Sequence, residues 1–378
     1  MTILIYMLPF LTDVCIGIFL FAYPVAASKA GATPFFIANI PVVFSFCYLA
    51  ASFALARVKL SSAGYYRVLI ISILAMMAAA VVSYLVKGPL LLVYLYVFVI
   101  GSFCALFFVS FQVIMDMVSH RQPLYCNVSN YNISWSLGLG AGPLISGLLY
   151  EYDARISFLV AAGLCLTVLI LLFVVRSLHL NDAAVAVKKP TPDTPDNKVR
   201  FGWALILLGA ATGVFVRVLF PDFGLKQGFS TAQAGALIFC FLGTQAVLSF
   251  LMRFIYEKLE RIYITVIAAG CALASLCVIG FAHSLPALFA AFALFGVFQT
   301  VFFFYAVFYA LSNRKNASRN VSINEGIVGA AGIIAPFAFG SLATKAGYPS
   351  TFAAVAGFVL IVFVTAYILY LRSAKHKI

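Results

Sequence analysis

Apolar residues fill this chain in long unbroken blocks. They do not alternate with polar residues as in a half-buried strand, and they leave no polar stripe like that of a helix on a soluble domain. Twelve blocks can be placed, near 3–27, 34–56, 66–86, 89–117, 125–149, 156–176, 201–221, 231–255, 262–282, 286–311, 321–343 and 350–371. A helix needs about 20 apolar residues to cross the hydrocarbon of a bilayer. There it must satisfy its backbone internally, which a helix does and a lone strand does not. The pattern predicts an all-α membrane protein with twelve transmembrane helices.

One polar stretch interrupts the pattern. Ser177 to Arg200 holds Pro190, Pro192 and Pro195, the pair Lys188 and Lys189, and three aspartates, which is linker composition. It divides the chain into a six-helix bundle at 1–176, a cytoplasmic linker at 177–200 and a second six-helix bundle at 201–378. The halves repeat. At an offset of 193, Ser119 and Arg121 align with Ser312 and Arg314, Asn127-Val128-Ser129 with Asn320-Val321-Ser322, and Pro143 and Gly147 with Pro336 and Gly340. At an offset of 197, Tyr23-Pro24 meets Phe220-Pro221. Six crossings are an even number, so both halves run in one direction. Parallel repeats about an axis along the membrane normal are a transporter architecture.

Composition narrows the class further. Of 378 residues, 64% are apolar and 9% charged, against about 25% charged in ordinary soluble domains. Soluble, disordered and collagen-like chains are excluded. A net charge of +13 would suit nucleic acid, but its placement reads as topology. With the N-terminus in the cytoplasm, 18 of the Lys and Arg residues fall on the cytoplasmic side, 5 fall outside, and Arg217 lies within a span. That is the positive-inside bias, so nucleic acid is not an expected partner. The eight cysteines are scattered through apolar segments, and the four histidines lie in loops or at the C-terminus. Neither set has the spacing of a disulfide framework or a metal site, and no cofactor is expected. No phosphate-binding glycine loop ending in Lys-Ser or Lys-Thr is present, which argues against ATP drive within the chain. The first apolar run lacks a charged leader and is read as a permanent span. Four Asn-X-Ser sequons, from Asn127, Asn132, Asn316 and Asn320, fall at cytoplasmic ends of spans, where glycosylation is not expected.

Several of these residues carry a resemblance. Gly138-Leu-Gly-Ala-Gly142-Pro143-Leu-Ile-Ser-Gly147 in span 5 resembles the antiporter motif of drug–proton antiporters within the major facilitator superfamily. The span 1 run Phe10-Leu-Thr-Asp13, then Gly17 and Pro24, is similar to the same subgroup. The loop after span 2, Ala56-Arg57-Val-Lys59, departs from the family's Gly-x-x-x-Asp-Arg pattern. Its counterpart, Glu257-Lys258-Leu-Glu260-Arg261, keeps only the acid–base order, and the arginine expected early in span 4 is missing around Val97 to Gly101. The resemblance implies two pseudo-symmetric six-helix bundles, a central cavity and transport driven by an ion gradient.

Polar residues locate the candidate site. Spans 3, 6, 9 and 12 have no Asp, Glu, Lys, Arg, Asn, Gln or His in their interiors, whereas the other eight spans do. In the family every third helix is an outer support. Asp13 lies in mid-span, where a charge costs about 2.5–3.5 kcal/mol on insertion scales. Asp13 and Glu325 are the candidate proton-coupling residues; the bland alternatives are a packing carboxyl and an acid near a helix N-terminus. Arg217 is a candidate anion anchor or charge partner of Asp13, or else an arginine reaching for the surface. In the repeat register it corresponds to Leu20, about 10 Å of helix rise from Asp13. Gln112, Asn132, Trp135, Gln245, Gln299, Tyr305 and Asn324 are candidate substrate contacts. The stripe Phe298, Phe302, Tyr305 and Tyr309 would suit an aromatic or cationic cargo if it faces the cavity, and is ordinary surface if it faces lipid. Gly138, Gly142, Pro143, Gly147 and Asp116 are candidate gating or structural-motif residues. The small ones also have a plain packing role, and Asp116 also suits a cytoplasmic ion pair.

The sequence therefore predicts a secondary active transporter and not an enzyme. It is expected to work by alternating access as a proton-coupled exporter of a small organic or amphipathic molecule. Uptake or exchange of an organic anion held by Arg217 is the second reading, and a non-transporting receptor or scaffold the third. The expected partners are a small-molecule substrate, protons and membrane lipids. The expected setting is a bacterial cytoplasmic (inner) membrane, with both termini cytoplasmic and the chain monomeric.

Overall fold

The computed structural model of the chain describes residues 2–58, 60–86, 89–118, 124–153, 155–179, 194–259, 262–313 and 316–375. Among these residues twelve helices follow one another: α1 (Thr2–Lys29), α2 (Pro34–Ala56), α3 (Ser62–Leu85), α4 (Leu92–Val118), α5 (Leu124–Tyr150), α6 (Ile156–His179), α7 (Asp196–Lys226), α8 (Thr231–Leu259), α9 (Tyr263–Phe281), α10 (Leu285–Ser312), α11 (Ala317–Ala346) and α12 (Tyr348–Lys375). All twelve are long and apolar enough to cross a membrane. Of the expected 177–200 linker, 180–193 lies outside the described residues, as do the repeat positions 119, 121 and 314, while 177–179 belong to α6 and 196–200 to α7.

An even number of crossings brings both ends of the chain to one face, termed here the terminal face; the opposite one is the far face. Three turns on the far face need a backbone that only glycine adopts freely. Gly31 (φ 77°) ends α1, Gly228 (φ 89°) ends α7 and Gly347 (φ 79°) ends α11. Gly31 and Gly228 stand at the 197 offset, as do Lys29 and Lys226. The repeat therefore extends from the proline inside each helix to the turn that closes it.

Helices α3, α6, α9 and α12 pack chiefly within their own half. They turn large apolar side chains outward, among them Leu159, Ile170, Phe173, Ile267, Ile361 and Leu369. The halves meet through α5 on α8, α2 on α11 and α1 on α7. Small residues make this seam close, and it has two-fold character. A Cβ at Gly147 would stand 2.5 Å from the Thr231 carbonyl and 3.3 Å from Ala232. The repeat equivalent, Gly340, presses on Ala38 and lies against the Pro34 carbonyl and Phe35, which are the 197-offset counterparts of Gly235, Thr231 and Ala232. Membrane helices lack a hydrophobic drive to associate, so side-chain-free patches that let backbones approach carry the packing.

Candidate functional site

Asp13 is 5% exposed and lies on the face of α1 that meets the glycine run of α5. A Cβ at Gly138 would stand 2.6 Å from both Asp13 Cβ and the Phe10 carbonyl, and one at Gly142 would stand 2.6 Å from Gly17 Cα. Pro143 Cδ in turn lies 3.0 Å from the position a Gly17 Cβ would take. The run from Gly138 to Gly147 thus seats α5 against α1 at one end and against α8 at the other. Asp13 Oδ2 has no hydrogen-bond partner. A buried carboxyl oxygen without a partner is costly and rare in a resting core.

Across the seam, α7 presents Gly209, Gly213 and Arg217 at four-residue spacing, which is one helix stripe. Arg217 is half-buried and forms no ion pair with Asp13, yet it is the opposite charge whose field reaches that carboxyl. Gln299 of α10 fills the space the two glycines leave. Its Nε2 donates to the Gly209 carbonyl at 2.9 Å and to Thr212 Oγ1 at 3.2 Å. Thr212 spends its own proton on the Leu208 carbonyl at 2.7 Å, so the amide orientation follows from its partners and Oε1 is left unpaired. Beside it, Phe303 packs on Gly209 and lies 5.4 Å, ring to ring, from Trp135 of α5. Trp135 Nε1 donates to Asn132 Oδ1 at 3.2 Å, which leaves Asn132 Nδ2 without a partner. Asn132, Trp135 and Gln299 are therefore linked through Phe303 by contacts that cross the seam, and Arg217 lies one turn beyond Gly213 on the same stripe of α7.

A second polar locus lies where α2 meets α11. Gly329 lies against Leu49, and Gly332 presses on Ser45. One turn nearer the terminal face, Glu325 is exposed. Asn324 donates from Nδ2 to the Ala306 carbonyl at 3.1 Å, and its Oδ1 is unpaired. Tyr48, which sequence reasoning passed over as one aromatic among many, lies within electrostatic reach of both Glu325 and Asp13.

The other candidates are placed differently. Gln245 of α8 is fully buried, and neither amide atom has a partner. The stripe Phe298, Phe302, Tyr305 and Tyr309 faces neither lipid nor open space. It is at most 3% exposed, and Phe302 stacks 5.8 Å from Phe363 of α12 inside the second bundle. Gln112 and Asp116 fall on α4, but their side chains lie outside the described residues.

Sequence reasoning missed one buried acid. Asp222 is 0% exposed and accepts hydrogen bonds from Ser28 Oγ at 2.6 Å, Lys226 Nζ at 2.8 Å and the Tyr348 hydroxyl. The apolar run ends at Pro221, so Asp222 read as loop; the helix continues to Lys226 and takes the acid into the packed end of the seam. Two more hydrogen bonds cross the seam at the far face, from Phe35 N to Thr344 Oγ1 at 3.0 Å and from Ala232 N to Glu151 Oε1 at 3.3 Å.

Solved structures share this architecture. A mutant form of the nucleoside transporter NupG is similar at 11% identity, with 97% of this chain and 99% of that one covered and a TM-score of 0.69. The human organic anion transporter MFSD10 (TETRAN) is similar at 14% identity, with 96% and 98% covered and a TM-score of 0.65. At such identities the likeness is one of fold. No curated protein sequence matches the chain. The family model described as Major Facilitator Superfamily matches twice, over residues 5–221 and 202–377, so each half carries the pattern on its own. With twelve membrane-spanning helices in two repeated bundles and polar side chains gathered at the seam between them, this chain belongs to the Major Facilitator Superfamily.

Proposed function

We propose that this transporter is a proton-coupled exporter of a small organic or amphipathic molecule, and that Asp13 holds the coupling proton. The observation that carries the reading is the state of Asp13: nearly buried, with one oxygen unpartnered and no ion pair to Arg217. A carboxyl locked in a permanent structural pair would not be left this way. Pro9 and Gly17 on the same stripe of α1 let the helix yield as the acid changes partners. Glu325, exposed and in the part of α11 nearer the terminal face, is the second proton site, and Tyr48 lies within electrostatic reach of both carboxyls.

The Lys and Arg bias supports a cytoplasmic terminal face, and a bacterial cytoplasmic membrane is the proposed setting. Hydrogen bonds then close the seam on the outside, and Glu325 faces the inside. Protonation of Asp13 from outside lowers its hold on a cationic or polar cargo, and return of the proton inside restores it. The test is transport in proteoliposomes under an imposed pH gradient. Acidifying the outside should speed wild-type export, and Asp13→Asn should lose that response. An Asp13→Asn protein that still moves cargo against its gradient at the wild-type rate ends this reading.

A second reading is favoured by Arg217, a permanent cation on the seam without a carboxylate partner. It suits uptake or exchange of an organic anion, gripped by two parallel hydrogen bonds. Arg217→Leu should then abolish anion binding and spare cations. Anion binding that survives the change removes Arg217 from the site.

A further inference from the structure

Asp222 is a fully buried acid on α7, the helix that carries Arg217, and it is bonded to α1, the helix that carries Asp13. Its carboxylate is sealed from solvent and takes three donors. Lys226 and Tyr348 belong to the same half as Asp222, and Lys226 also lies 5.4 Å over the Tyr348 ring. Ser28 is the donor that comes from the other half, at the end of α1, and its hydrogen bond is 2.6 Å long.

We infer that Asp222 is a positioning residue: through Ser28 it latches α1 to α7 at the far face and so holds that side of the seam closed. The inference rests on the alternating-access reading above. The bond joins the far-face ends of two helices that run in the same direction, so it bears directly on whether that face stays closed. Arg217 lies five residues before Asp222 on α7, about 7.5 Å of helix rise from the latch.

The arrangement also fits a gate that opens. When the far face parts, Asp222 loses Ser28 but keeps Lys226 and Tyr348, so its charge is never stranded. Only the bond across the seam is given up. The two other bonds across the far face are made by exposed groups and are weaker restraints.

The test uses the full-length protein in lipid nanodiscs, with unnatural-amino-acid spin labels at Tyr152 and Lys345. Both positions are exposed on the far face, one in each half. Wild type should give one short distance. Ser28→Ala, which removes one hydroxyl from a half-buried position and does not threaten folding, should add a longer distance and raise the open-to-closed ratio about tenfold, the scale of one charge-assisted hydrogen bond. Asp222→Asn should do the same, and Ser28→Thr should restore the wild-type distribution. If Ser28→Ala leaves the distances unchanged while Asp222→Asn merely lowers the melting temperature, Asp222 is a structural acid of the second half and the inference is overturned. The result also separates the two readings. Shifted distances in a protein that moves no solute keep the latch and remove the transport mechanism. Unshifted distances in an active transporter do the reverse.

Discussion

The Cβ of Asp13 packs directly on Gly138, so closely that a methyl at Gly138 would stand 2.6 Å from it. The acid proposed to carry the proton therefore leans on the glycine run that resembles an antiporter motif. Gly138→Ala must push α1 away, because the Phe10 carbonyl is equally close and backbone cannot step aside. We expect a loss of about 1–3 kcal/mol in stability, the range for overpacking a tight site. Transport should fall further than stability does. Thermal unfolding in detergent and uptake into proteoliposomes read the two effects separately.

Gly142→Ala is the matched control. It clashes with Gly17 to the same degree but lies a turn away from the acid. A similar drop in melting temperature is expected, with a smaller loss of the response to a pH gradient than Gly138→Ala shows. Equal losses in both variants would make the run a packing device with no special relation to Asp13.

Gln245 offers a test of opposite sign. Its amide is fully buried with neither atom partnered, a state that costs about 1–3 kcal/mol. Gln245→Met keeps the volume and removes the unpaired groups, so the melting temperature should rise. If the amide pairs with cargo in another conformer, turnover should drop at least tenfold at the same time. A more stable protein with unchanged turnover takes Gln245 out of the substrate set.

Glu325 should behave as a functional and not a structural acid. Because it is exposed, Glu325→Gln should change stability by no more than about 0.5 kcal/mol. The pH dependence of transport should flatten, less completely than with Asp13→Asn. A large loss of stability would mark it as part of a structural network instead.

The apolar blocks alone determined that there are twelve helices, because a continuous apolar block in a bilayer satisfies its backbone as a helix, and the matched asparagine, proline and glycine positions showed that two halves repeat. They also located Asp13 and Arg217, since a charge in mid-span is visible in any reading of the sequence. Helix ends were less legible. The run stopped at Pro221 on paper while α7 continued to Lys226, and Asp222 was lost with it, because composition cannot show a polar helix end buried by its neighbours. The facing of the aromatic stripe on α10 was likewise open until α12 was seen to cover it. Only the tertiary structure decided which polar atoms are left unpaired and that Asp13 and Arg217 stand near each other without pairing. Those facts depend on how the two bundles dock, through contacts such as Ser28 with Asp222 that join residues 194 apart in the chain.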